Sequence, residues 1–97
     1  MKKARINLET AEAIALHALT FLASDGQRLG RFLSLTGIGP DELRAWAEAP
    51  HLQAAVLEHM LADESLLLVF ASQTGAQPDE IGPAHALLVK ATEARNH

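Results

Sequence analysis

The chain has 97 residues, 48% of them hydrophobic, a formal net charge of −4 and no cysteine. That length holds one domain with one modest core, and eighteen alanines and sixteen leucines against seven valines and isoleucines favour helix over sheet. The lack of cysteine excludes disulfides, thiol catalysis and cysteine-ligated zinc or iron–sulfur centres.

Residues 1–97 therefore read as a single helical domain, with residues 1–6 as a flexible basic N-terminus. Lys2, Lys3 and Arg5 supply three of the eight basic side chains, leaving five basic and twelve acidic residues on the rest of the chain. An acidic body repels phosphate backbones, so nucleic acid is disfavoured as a partner. Asn7, Glu9, Thr10 and Glu12 interrupt any signal-peptide core. The longest apolar run, Leu66 to Ala71, falls far short of the about 20 residues needed to span a bilayer. The expectation is a cytoplasmic protein that does not enter membranes.

The first helix follows Asn7, a capping residue, and runs to about Ser24 on a stripe of Leu8, Ala11, Ala15, Leu19 and Leu22. The second starts at Ser24 or Asp25, where Ser24 and Gln27 have capping-box spacing, and stops at Gly37. Gly39-Pro40-Asp41-Glu42 opens a third, which must end before Pro50. A fourth spans about Pro50 to Ala62, and Asp63 caps a fifth that Gly75 closes. Pro78-Asp79-Glu80 opens the last segment, where Gly82-Pro83 is expected to break or kink the helix and leave a separate or bent piece to about Ala94.

An internal repeat organises these elements. Phe32 to Leu43 recurs as Phe70 to Ile81 at an offset of 38, with seven of twelve positions identical. The same offset pairs Leu19 with Leu57, Leu22 with Met60, Asp25 with Asp63 and Leu29 with Leu67. The fold expected is an all-α compact bundle of five or six helices, built as two pseudo-repeated three-helix units. Residues 63–74 are apolar on every side, which marks them as the central helix. Arg28 and Arg31 correspond to Leu66 and Val69 in the second unit. A homodimer contact through Leu66 and Val69 is the alternative use of that apolar surface.

Residues able to carry chemistry are sparse. His59 and Asp63, four apart, could share a helix face, but the fourth helix should end between them and no compact third ligand follows. His51 lies eight residues before His59, and His17, His85 and the terminal His97 are isolated. None of Ser24, Ser34, Ser65 and Ser72 sits in a Gly-x-Ser-x-Gly elbow. Asp41-Glu42 and Asp79-Glu80 follow proline helix starts, where the helix dipole alone accounts for them. No catalytic residue, cofactor or metal is assigned. The segment Leu33 to Leu43 resembles a helix-turn-helix, but its second helix leads with Pro-Asp-Glu and holds one basic residue, Arg44. Trp46 reads first as core packing and second as a contact anchor. Arg28, Arg31, Arg44 and Trp46 form the candidate interaction patch.

Phe21-Leu22-Ala23-Ser24-Asp25, Arg28 to Leu33, Thr36-Gly37, Pro40 to Arg44 and Leu61 to Glu64 together resemble a family of small bacterial domains of unknown function, helical and about 90–100 residues long. The resemblance covers about residues 8–81 and implies a single-domain bacterial protein, without assigning an activity. The functional expectation is a non-enzymatic protein-interaction or structural module with an unidentified protein partner. DNA binding by a helix-turn-helix-like unit is the alternative, and a small-ligand binder or enzyme comes third.

Overall fold

A computed structural model describes residues 6–95 as six helices: α1 (Leu8–Ala23), α2 (Gly26–Thr36), α3 (Pro40–Trp46), α4 (Pro50–Leu61), α5 (Glu64–Thr74) and α6 (Pro78–Arg95). The basic start at Lys2, Lys3 and Arg5, and the terminal His97, lie outside the described residues.

Local capping sets most of these boundaries. Asn7 accepts from the Thr10 N–H at 2.8 Å and starts α1. Asp25 accepts from the N–H groups of Gln27 and Arg28, and Asp63 from that of Leu66. Ser24, expected to share in a capping box, instead donates its hydroxyl to the Phe21 carbonyl at 2.7 Å. It closes α1 and leaves the opening of α2 to Asp25. Glycines at φ 76° and 79°, Gly37 and Gly75, terminate α2 and α5. A side chain at either position would be forced into the left-handed region.

The offset of 38 reappears as geometry. Helices α2 and α5 begin and end at equivalent positions, and so do the C-termini of α1 and α4. Thr36 donates to the Phe32 carbonyl at 2.8 Å and accepts from the Ile38 N–H at 3.3 Å. Thr74 donates to Phe70 at 2.7 Å and accepts from Ala76 at 3.3 Å. Both phenylalanines are fully buried. Each therefore anchors its helix to the core one turn before the glycine stop.

The core lies between α1, α4 and α6. Ala11, Ala15 and Ala18 form a buried small-residue face on α1, joined by Phe21 and Leu22. Small side chains let helix axes approach to the short end of the usual 8–10 Å. Against that face lie Leu52, Val56, Leu57 and Met60 of α4 and Ile81, Ala84 and Leu88 of α6.

Two expectations are corrected. α5 is not the central helix: Phe70 is its one fully buried residue, whereas Leu68 and Val69 are 52% and 37% exposed. The Cα extents of 41 × 37 × 18 Å explain why. With helices about 10 Å across, a plate that thin holds two layers and cannot surround a helix. The central position goes to α4, with seven buried residues, and to α6, which packs against it through Ile81, Ala84 and Leu88. Nor does Gly82-Pro83 divide the last segment, because α6 runs unbroken from Pro78 to Arg95. Pro83 is exposed, the carbonyl it leaves unpaired belongs to Asp79 in the first turn, and Ile81 and Ala84 hold the helix to the core on both sides of it.

Phe70→Ala is expected to destabilise the fold by about 3–5 kcal/mol, as for other buried phenylalanines. Leu68→Ala, two residues away on the outer face, should stay within about 0.5 kcal/mol of the parent. Urea denaturation followed by circular dichroism separates the two; similar losses would contradict the outward placement of Leu68.

Candidate functional site

Arg28, Arg31 and Leu35 are spaced three and four residues apart, so they fall along one face of α2. The two arginines have different neighbours. The Arg28 guanidinium carbon sits 4.4 Å from the centre of the Phe21 ring, a cation–π contact. Phe21 in turn meets Phe70 at 5.4 Å with a 57° tilt, linking α2, α1 and α5 through one aromatic pair.

Arg31 borders a cleft of about 360 Å³ whose walls include Leu35, His59, Ala62 and Asp63. His59 packs edge-on against Phe32, ring centres 5.2 Å apart, and its Nε2 is buried without a hydrogen-bond partner. Burial, reinforced by the Arg31 charge, lowers its pKa from the ordinary 6.5, and Asp63 opposes that shift. α4 ends at Leu61, before Asp63, as the sequence pattern expects.

Arg44 and Trp46 stand on α3, which has no buried residue. Arg44 pairs with Asp41 one turn earlier, with both side chains largely exposed. Such a pair adds little stability, but it neutralises the single basic group of the helix that would read DNA. Trp46 does not enter the core. It is 37% exposed and meets the His51 ring at 5.0 Å, edge to face. Leu43, three residues earlier, is the residue of α3 that packs against the core. Among the described residues no hydrogen bond or ion pair joins any two of Arg28, Arg31, Arg44 and Trp46.

The remaining polar groups follow the same local logic. Glu42 accepts from the Gly39 N–H at 2.9 Å, so this carboxylate caps its own helix. His85 Nε2 lies 3.8 Å from Glu58 Oε1 at the seam of α4 and α6. No group of three or more His, Asp or Glu side chains among the described residues could hold a metal ion.

A groove that the sequence pattern did not locate runs between α1 and the end of α5. One part, about 330 Å³, lies over Phe21 between Thr20, Ser24 and Gln73. The other, about 210 Å³, reaches past His17 and Thr74 to Phe70, Glu80 and Ile81. Its one sequence signal is a difference between the repeats: Ala76 stands where the first unit has Ile38.

Six helices in a two-layer plate define a small all-α domain. Residues 8–91 match the family described as "Protein of unknown function (DUF3572)", and the chain belongs to that family. The match carries through Gly82-Pro83 and most of α6. No curated protein and no solved structure matches the chain.

His59 makes stability depend on pH. Its folded pKa lies below the unfolded value near 6.5, so the unfolded chain binds the proton more readily. The stabilising contribution is complete above 6.5 and is lost as pH falls through the folded pKa. His59→Leu should flatten the stability profile between about pH 7.5 and 5, read from urea midpoints against the parent. An unchanged slope in that window would show that His59 carries no such linkage.

Proposed function

We propose that this protein is a non-enzymatic module that binds another protein chain through the outer face of α5. The observation that carries the reading is the placement of Leu68 and Val69 on the surface of an otherwise apolar helix. From Ser65 to Pro78 the chain has no charged residue. Depletion of charge around exposed apolar side chains is the compositional signature of an interface centre. Leu66, the other residue of the expected homodimer contact, is half-buried against the core, so Leu68 takes its place beside Val69. The partner that suits this face presents an apolar, uncharged surface of its own, a helix face being the simplest form.

Two further observations support a binding role over catalysis. Of the paired acids, Glu42 is engaged in capping and Asp41 in an ion pair with Arg44. In the cleft over Phe21 the hydroxyls of Thr20, Ser24 and Thr74 are committed to carbonyls of their own helices.

A photo-crosslinking amino acid placed at position 68 in the producing cell should yield a discrete adduct. The same probe at the exposed Arg95 position should not, and Val69→Lys should abolish the adduct at 68. Val69→Lys should leave unfolding stability within about 1 kcal/mol, since the side chain is surface-lying. A second copy of the chain in the adduct, or a different protein, would each support binding through α5. Absence of an adduct at 68, or equal yields at 68 and 95, would refute it.

A further inference from the structure

The two halves of the chain are most informative where their shared geometry ends. In the first half, Ile38 packs half-buried against the core and the Glu42 carboxylate turns back onto the Gly39 N–H. In the second half, Ala76 and Gln77 occupy the positions of Ile38 and Gly39. Ala76 lacks three carbons of the isoleucine side chain, and a cavity of about 210 Å³ lies beside it. Ile14, Phe70 and Ile81 make its apolar wall. Glu80, the counterpart of Glu42, is half-buried on its rim and makes no side-chain hydrogen bond or ion pair among the described residues.

The cleft over Phe21 is adjacent, with His17 and Thr74 lining both spaces. The hydroxyls of Thr20, Ser24 and Thr74 donate to carbonyls of their own helices, which leaves few free polar groups there. Glu80 is the one Asp, Glu, Lys or Arg side chain lining either space, beside His17, Gln73 and Gln77, which make no side-chain hydrogen bond among the described residues. The cavity beside Ala76, about 210 Å³, lies below the about 300–1,000 Å³ of drug-sized sites, which limits its occupant to a small molecule.

We propose that this cavity binds a small amphipathic organic cation, with its ammonium group on the Glu80 carboxylate and its apolar part beside the half-buried Ile14 and Ala76. Charge selects the class. An anion would meet the repulsion of Glu80, and a neutral molecule would cover a carboxylate without offering it a charged donor, which is costly. A metal ion finds one carboxylate and one imidazole, fewer ligands than a protein metal site uses. An ammonium supplies the charge-assisted hydrogen bonds that Glu80 lacks, and its apolar part covers the half-buried Ile14 and Ala76.

The test is an amide NMR titration of the full chain with phenethylammonium, beside phenethyl alcohol and phenylacetate as neutral and anionic probes of the same shape. The ammonium should give saturable shifts confined to the middle of α1, the end of α5 and the start of α6. The alcohol should bind about tenfold or more weakly and the carboxylate not at all. Glu80→Gln should reduce ammonium affinity by about tenfold or more, whereas Asp79→Asn, next to it on the exposed side, should leave it unchanged. Ala76→Ile, which restores the residue of the first half, should narrow the cavity and weaken binding. Should Ala76→Ile fail to fold, the Glu80→Gln result decides. Equal affinity for ammonium and alcohol, no effect of Glu80→Gln, shifts spread evenly over the acidic surface, or no saturable binding would each overturn the proposal.

Discussion

The alanine face of α1 is the constraint on which the rest of the arrangement depends. With Ala11, Ala15 and Ala18 buried and nothing larger between them, α1 can lie close to both α4 and α6. Those three helices fill the middle of a plate with a Cα thickness of 18 Å. Helices α2 and α5 are then left to the margins, each tied down through one buried phenylalanine. A larger side chain at any of the three alanines would separate α1 from both neighbours at once, which makes this seam the least tolerant part of the fold.

Elements governed by local chemistry were readable directly. Asn7, Asp63, Gly37, Gly75 and the prolines at 40, 50 and 78 mark helix limits because capping involves only near neighbours in the chain. Burial was readable only in part. An all-round apolar helix has the same pattern whether it is enclosed or lies on a surface with apolar side chains to spare, and α5 is of the second kind. The geometry of packing also outweighed local propensity at Pro83. Three buried residues on one face of α6 hold it together where the dipeptide alone suggests a break.

The candidate site divides along the same line. That Arg28 and Arg31 share a face of α2 follows from their spacing, but their separate engagements with Phe21 and with the His59 cleft depend on how α1 and α4 are placed. Arg44 and Trp46 lie on α3, and their contacts with Asp41 and His51 are made within α3 and at the start of α4. The groove beside Glu80 was hidden for another reason. No motif marks it, and it becomes legible only when the two halves are compared residue by residue at Ile38 and Ala76.

Trp46, set on the helix without a buried residue, has a consequence for how the molecule can be observed. It is the single tryptophan and there is no tyrosine, so near-ultraviolet emission arises almost entirely from the α3–α4 corner. Its ring touches His51 at the start of α4, whereas the buried aromatic residues are Phe21, Phe32 and Phe70. Emission therefore senses the docking of α3 before it senses the collapse of the alanine seam. A fluorescence transition that precedes the loss of helical circular dichroism would be the optical trace of a corner that opens while the plate remains intact.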